Sequence, residues 1–251
     1  MGYVVLQYNT LYVLMHARAG MHNHVGMAVS SLFSIVPMYI SLMRVWELPA
    51  SYNALTEYGH GCRAFDHVFS QLDCGSCGAF ATASMYGMRS CKHGRNDLPS
   101  PYRIFDCGSG NCSTGMSLGM LLKVLRDGVT DLAKTPAVYG WGCPASGGPM
   151  KAHTLVPLFS PSVIKREIIA RGPVFASFEV SEAFWAYKEG VYIEGEPSEG
   201  MAHAVVVIGW GAASADEPEH WIIQNSWATD WGDGGRGKME MSWNDLMASV
   251  T

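Results

Sequence analysis

Seven cysteines, crowded into about a third of the chain, constrain this sequence more than any other feature. They are Cys62, Cys74, Cys77, Cys91, Cys107, Cys112 and Cys143. In an oxidising compartment an odd number predicts pairs plus one free thiol, whereas a cytosolic protein would keep all seven reduced. The Cys74-x-x-Cys77 spacing also leaves open a redox dithiol or half of a zinc site. Cys107 and Cys112, with four residues between them, could supply the other half of such a site.

Length and charge limit the classes of protein that this chain can represent. With 251 residues, of which 48% are hydrophobic, it can bury a large core in one domain or two smaller ones. The net charge is −5 and no run of Lys and Arg occurs, which argues against a nucleic-acid partner. Residues 1–46 contain two arginines and no acidic residue, so we expect a boundary near Glu47.

The segment before that boundary is an apolar N-terminal extension. Residues 25–43 carry no charge, and their length suits a membrane span or a long signal segment. Pro37 and four serines weaken the interpretation as a span. Three hypotheses stay open: a secretory signal, a buried or disordered extension, and a start that is not the natural one. We expect contact with a membrane only if residues 25–43 act as an anchor.

Hydrophobic periodicity predicts helices in the first half of the chain and strands in the second. The predicted helices cover residues 77–89, 116–127 and 162–170, the last with Ser162 as its N-cap. The predicted strands cover residues 173–180, 202–209 and 221–224. This order indicates an α+β fold in which a helical lobe precedes a β-rich lobe. A cleft between two lobes is a common place for an active site.

Three residues far apart in the chain suggest nucleophilic catalysis. Cys77 begins the first predicted helix, and a helix N-terminus favours the thiolate. A thiolate nucleophile needs a proton acceptor, usually a histidine. His203 lies on an apolar strand, where a lone histidine would usually be a core residue, but Asn225 follows it 22 positions later. A Cys, then a His, then an Asn matches a known order of catalytic residues.

Three blocks of the sequence resemble the active-site motifs of papain-like cysteine proteases. They are CGSCGAF at 74–80, MAHAVVVIGWG at 201–211 and QNSWATDWGDGG at 224–235. The resemblance extends from about Leu48 to the C-terminus, and LPASYNA at 48–54 looks most like cathepsin B. It implies a two-lobed papain-like peptidase domain over residues 47–251. The helical lobe would cover about 60–155 and a β-barrel-like lobe about 156–251, with the active-site cleft between them.

The resemblance also implies a mechanism and the residues that perform it. The chain would be a cysteine-type endopeptidase that works through a Cys-His-Asn triad and a thioester acyl-enzyme. Cys77 resembles the nucleophile, His203 its ion-pair partner and Asn225 the residue that orients the imidazole. Gln71 resembles the oxyanion-hole side chain, and Trp227 the aromatic shield over the His–Asn hydrogen bond. Peptides or proteins would be the substrates, and cystatin-type inhibitors are expected partners.

Family pairing of the cysteines would leave Cys77 as the free thiol. The implied disulfides are Cys62–Cys91, Cys74–Cys112 and Cys107–Cys143. They would occupy Cys74, so the zinc and redox interpretations fall away and we expect neither a metal nor a cofactor. Complete pairing predicts the secretory pathway, with a lysosomal, vacuolar or extracellular destination.

Departures from the family pattern keep a second function open. Gly78 stands where the family usually has Trp, and residues 1–46 do not resemble the family's inhibitory propeptide. Gly115 is expected to offer its backbone to substrate, and Ser249 falls where cathepsin B has an acidic residue in its S2 pocket. No insert with paired histidines occurs between residues 143 and 160, which favours endopeptidase over carboxydipeptidase action. The alternative is a weak or inactive papain-fold module that binds peptides.

Overall fold

The computed structural model describes residues 7–8, 11–12, 48–145, 147–193, 202–241 and 246–250. Contacts within the chain divide it into two units, Met1–Glu47 and Leu48–Thr251. In the first unit, strands β1 (Gln7–Tyr8) and β2 (Leu11–Tyr12) form a short antiparallel pair. The apolar segment at 25–43 lies outside the described residues, so its assignment stays a prediction.

Most helices of the second unit lie in its first half. The α-helices of this unit are α1 (Ala54–Tyr58), α2 (Arg63–Asp66), α3 (Cys77–Lys92), α4 (Pro101–Cys107), α5 (Leu118–Asp127), α6 (Pro161–Arg171) and α7 (Glu182–Trp185). The three helices predicted from periodicity are present as α3, α5 and α6. The predicted cap of α6 was wrong, because the Ser160 hydroxyl, not that of Ser162, accepts the N–H of Val163. Pro161 then occupies the first turn, where its missing N–H has no cost.

Most strands of the second unit lie in its second half. The strands of this unit are β3 (Tyr52–Asn53), β4 (Leu155–Leu158), β5 (Val174–Glu179), β6 (Val191–Tyr192), β7 (Ala202–Gly211), β8 (His220–Gln224), β9 (Arg236–Glu240) and β10 (Leu246–Val250). Their order is β4-β10-β5-β7-β8-β9-β6, with β3 also paired to β7 and only β6–β9 parallel among these strands. The predicted α+β class is confirmed. Across the described strands the sheet is open and does not close into a barrel.

Strand β7 separates two hydrophobic cores. Ala204, Val206 and Ile208 belong to the core shared with helices α2 to α5. Val205 and Val207 belong to the core shared with α6 and the other face of the sheet. Successive side chains of a strand point to opposite faces, so a strand buried on both faces is apolar throughout. Helix α3 packs on β7, which brings Cys77 towards the start of that strand.

Three disulfides cross-link the helical part of the molecule. They join Cys62 to Cys91, Cys74 to Cys112 and Cys107 to Cys143. These are the pairs that the family resemblance implied. Cys77 is the free cysteine of the described residues.

Candidate active site

Cys77 is the first residue of α3, at the end of a tightly held loop. The N–H of Gly75 donates to the carbonyl of Cys112 at 2.8 Å, and Cys112 is also the disulfide partner of Cys74. A Cβ on residue 75 would lie 2.7 Å from that carbonyl oxygen, so only glycine fits. The Ser76 hydroxyl lies 2.8 Å from that of Tyr139. These contacts fix the position at which the helix begins and the thiol is presented.

The electrostatic environment of Cys77 combines burial with nearby N–H donors. Burial raises the pKa of the Cys77 thiol above its ordinary value. The backbone N–H groups of Ala204, Gly78 and Cys77 itself oppose this pKa shift, because they stabilise negative charge on sulfur. The donor at Ala204 is informative, since this residue directly follows His203 in β7. The thiol therefore faces the N-terminal end of that strand.

The imidazole of His203 is held by Asn225. Its Nε2 lies 2.7 Å from Asn225 Oδ1, and the same oxygen accepts the N–H of Ser226 at 2.8 Å. Because that N–H needs an acceptor, the amide must present its oxygen, and Nε2 must be the donor of the pair. A neutral imidazole with its proton on Nε2 has a free lone pair on Nδ1. His203 can therefore accept a proton on Nδ1.

Aromatic rings enclose the His203 ring, of which 4% is exposed. Trp227 lies 4.4 Å from it between ring centroids, and Phe184 lies at 5.9 Å. Trp185 stacks on the outer side of Trp227 at 4.0 Å. Burial lowers the pKa of His203 to about 4, although the hydrogen bond to Asn225 acts in the opposite direction. The site thus disfavours an isolated charge on the imidazole.

Gln71 is positioned by contacts at both ends of its amide. Its Nε2 donates to the carbonyl of Cys74 at 2.9 Å, and its Oε1 accepts the hydroxyl of Ser226 at 2.7 Å. The carbonyl of Gln71 accepts the hydroxyl of Tyr139 at 2.9 Å. An NH₂ group has two hydrogens, so one N–H of Nε2 stays available to a ligand.

One cavity of about 520 Å³ joins these groups. Gln71, Cys77, His203 and Trp227 all line it, while Asn225 is buried behind His203. The arrangement brings together a free thiol, a proton acceptor and two kinds of N–H donor. Such a set can perform nucleophilic acyl transfer.

A model of the papain family of cysteine proteases matches residues 48–249. This chain belongs to that family. The match covers the whole of the described second unit apart from its last residue. This part of the chain is therefore of the cysteine-type peptidase class, whose members act on peptides or proteins.

Curated relatives and solved structures agree with the family assignment. A gut-specific cysteine proteinase of Caenorhabditis elegans is 28% identical, covering 75% of this chain and 67% of the relative. Cathepsin B-like cysteine proteinase 4 of the same organism is 29% identical, over 75% and 69% of the two chains. Procathepsin B S9 of Trypanosoma congolense superposes with a TM-score of 0.71 at 24% identity, covering 82% of this chain and 77% of that one. The papain-like fold is thereby confirmed, together with cathepsin B-like relatives.

Two residues expected to contact substrate lie outside the cavity. Ser249 is 1% exposed, its hydroxyl hydrogen-bonds Glu167, and it is not among the residues that line the cavity. Its side chain faces α6 rather than the cleft. Gly115 pairs with Asn111 and lies beside Gly75 at the rim, without lining the cavity.

Gly78, the departure from the family's usual Trp, is matched by its surroundings. A Cβ on residue 78 would lie 3.3 Å from a methyl carbon of Leu121 and 4.0 Å from the carbonyl oxygen of Met116. Helix α5 and the residue before its cap therefore fill the space that a larger side chain would need.

Sequence reasoning missed several residues that shape the site. Ser226 holds both Gln71 and Asn225, and Tyr139 holds the loop before Cys77. Ser226 could have been found from its position between Asn225 and Trp227. The site also includes Trp185, 48% exposed on the cavity wall, which no motif indicated.

Among the described residues, no cluster of three or more His, Cys, Asp or Glu could bind a metal ion. Nor does any helix in those residues have the length and apolar character to cross a membrane. The three disulfides fit an oxidising compartment.

Proposed function

We propose that this chain is a cysteine endopeptidase in which Cys77, His203 and Asn225 act as a catalytic triad. The observation that carries the proposal is the double hydrogen bond at Asn225 Oδ1, which leaves His203 Nδ1 free in the cavity that holds the free thiol. Secretory or lysosomal delivery and inhibition by cystatin-type proteins belong to the same proposal. The paired cysteines and the family membership support it.

In the first half-reaction, His203 Nδ1 takes the proton of the Cys77 thiol, and the thiolate attacks the scissile carbonyl carbon. Burial penalises each charge alone, but this transfer creates a thiolate and an imidazolium together, so the two charges offset each other. The N–H of Gln71 Nε2 and the backbone N–H of Cys77 stabilise the oxyanion. His203 then donates its proton to the leaving amine, and the C–N bond breaks to leave a thioester on Cys77.

In the second half-reaction, water cleaves the thioester. His203 Nδ1 takes a proton from water, and the hydroxide attacks the thioester carbonyl. The C–S bond breaks, the carboxylic acid leaves, and the proton returns to Cys77. No cofactor is needed for this balance.

The lining of the cleft supports cleavage within a chain. The described residues between 143 and 160 contribute nothing to the cavity wall, which comes from 70–77, 180–188, 202–203 and 227–231. An extended peptide can therefore continue past the reacting bond. This is the feature expected of an endopeptidase rather than of an enzyme that removes terminal dipeptides.

The test uses peptides blocked at both ends and carrying an internal quencher. We expect cleavage by the native protein, none by Cys77→Ser, and no need for a free C-terminus. A matched peptide with a free C-terminus measures dipeptide release. Equal turnover by Cys77→Ser would reject the mechanism, and cleavage confined to the free-ended peptide would reject endopeptidase action.

A second candidate is a papain-fold module that binds peptides without cleaving them. The observation in its favour is that burial shifts the pKa values of Cys77 and His203 towards their uncharged forms. Such a module would bind the blocked peptide with the same affinity in native and Cys77→Ser proteins. It would release no fragments in either.

A further inference from the structure

A second cavity, of about 340 Å³, lies far from the nucleophile. It is lined by residues of the last turns of α3, of the loop that follows α3, of the segment that follows Met150, and of the end of α6. Arg89 on its wall is twelve positions after Cys77 on the same helix, which places the two about 18 Å apart along the axis. This cavity plays no part in the proposed peptide cleavage.

Cations outnumber anions around this cavity. Four of its lining residues are Arg89, Arg95, Lys151 and Arg171. Only two carboxylates pair with them among the described residues. The net charge of this cluster is therefore +2, within a chain whose total is −5.

Both carboxylates are already engaged. Glu167 binds Arg89 at 2.7 Å and also Arg171, and Asp97 binds Arg95 at 3.0 Å. Asp97 accepts the Ser90 hydroxyl as well, at 2.6 Å. Within the described part of the chain, Lys151 forms no ion pair. The side chains of Arg95 and Arg171 are 59% and 58% exposed, so a ligand from solvent can reach them.

The interaction of cations with helix dipoles explains only some of the positive charges around this cavity. Cations in the last turn of a helix interact favourably with its dipole, and Arg89 and Arg171 occupy such positions. Arg95 and Lys151 belong to no helix, yet they face the same cavity. Asp97 balances the charge of Arg95, so the excess positive charge comes from Lys151 and from Arg89 and Arg171, which share one carboxylate, Glu167.

We propose that this cavity binds a small anionic group with several acceptor oxygens, namely a phosphate or sulfate ester. Such a group has several acceptor oxygens, and guanidinium forks bind it through pairs of N–H donors. Lys151, which also lines the cavity, supplies a compact point charge. Arg89, held by Glu167 and the carbonyls of Gly172 and Pro173, forms a fixed buried wall.

The experiment is calorimetric titration of the Cys77→Ser protein, which cannot digest itself, with inorganic pyrophosphate and with sucrose octasulfate. We expect saturable binding that weakens with salt. Binding of pyrophosphate alone identifies phosphate as the ligand chemistry, and binding of sucrose octasulfate alone identifies sulfate. The double variant Arg95→Gln/Lys151→Gln should weaken binding by about tenfold or more, the loss expected when charged hydrogen-bond donors are removed. The single variant Lys151→Gln, which disturbs no ion pair, should weaken it by about threefold or more.

The matched control is Lys123→Gln/Lys134→Gln, which removes two exposed charges outside the cavity. It should change the affinity by less than about twofold, since distant surface charges are screened. An equal loss in the control, or no saturable binding of either probe, would overturn the proposal.

Discussion

At the scale of single residues, neighbours decide what His203 can do. Asn225 fixes which ring nitrogen carries the proton, and Trp227 packs against the buried imidazole. A hydrogen bond shielded from water is stronger than an exposed one. The same shielding makes an isolated imidazolium costly. The chemistry of the histidine is thus set by groups that do not react themselves.

The lowered pKa of His203 predicts a loss of stability in acid. Between its unfolded value of 6.5 and its folded value of about 4, the unfolded chain binds a proton that the folded chain does not. The contribution of His203 to the free energy of unfolding is therefore fully present above pH 6.5. It falls as the pH drops towards 4, by up to roughly 3 kcal/mol.

Urea unfolding of Cys77→Ser, in which no thiolate can pair with the imidazole, measures this slope. The double variant Cys77→Ser/His203→Asn is the control and should lose that part of the slope. Parallel pH profiles for the two proteins would contradict the prediction.

Gln71 and Ser226 should have unequal effects on turnover. Gln71→Ala removes an oxyanion donor and should lower kcat by about 10²–10³. Ser226→Ala removes the hydroxyl that holds Gln71 Oε1, so the donor stays but is less well oriented, and we expect a loss of about tenfold. Steady-state kinetics on the quenched peptide compare the two. A larger effect from Ser226→Ala would mean that Gln71 is not the donor.

The sequence located site residues where short motifs contain them. Cys77, His203 and Asn225 each lie in a block whose neighbours are informative, and the structure brings them to one cavity and its wall. The contacts of Ser249 depend on how β10 pairs with β4 and β5, which no local sequence pattern indicates, so its role in substrate binding stays a prediction. Tyr139 acts from a loop 62 residues after Cys77, so its contact could not be read from spacing.

At the scale of helices and strands, the apolar run of β7 was the most reliable signal. Burial on both faces leaves little alternative to a central strand, and it is observed. The start of α5 was predicted two residues early, because Ser117 caps the helix after Met116. The edge strands were not predicted, since two-residue strands such as β3 and β6 carry no periodicity.

The ion pair between α3 and α6 predicts a large effect of one substitution. Arg89 and Glu167 are both about 8% exposed in their side chains and lie 2.7 Å apart. Burial alone would raise the pKa of Glu167, but its pairing with Arg89 outweighs this, so its pKa is lowered. Glu167→Gln leaves a buried guanidinium without its counter-charge and should cost about 3–5 kcal/mol.

The control for that substitution is Lys123→Gln, which breaks an exposed ion pair with Asp127 within α5. It should cost less than about 0.5 kcal/mol, as is usual for surface pairs. Urea unfolding of both variants in the Cys77→Ser background makes the comparison. Equal costs would show that the α3–α6 pair contributes no more than a surface one.

At the scale of the whole molecule, the disulfides confine the helical core while the catalytic thiol stays free. Cys62–Cys91 closes a separation of 29 residues between the start of α2 and the end of α3. Replacing both by alanine should lower the free energy of unfolding by about 2–4 kcal/mol. Thermal unfolding measures the loss. Cys77→Ser is the matched control and should leave the unfolding temperature nearly unchanged. A shift as large as that of the disulfide variant would contradict the assignment of Cys77 as a functional rather than a structural thiol.

The most direct test of the central claim is the pH dependence of Cys77 alkylation in the folded protein. With the six other cysteines in disulfides, iodoacetamide has one thiol to report on. If His203 takes the thiol proton, labelling of one equivalent should be rapid at pH 5–6. The substitution His203→Asn should slow labelling at that pH by about 10²-fold or more, because a thiol without a proton acceptor ionises only in alkali. Identical pH–rate profiles for the native protein and His203→Asn would contradict the account.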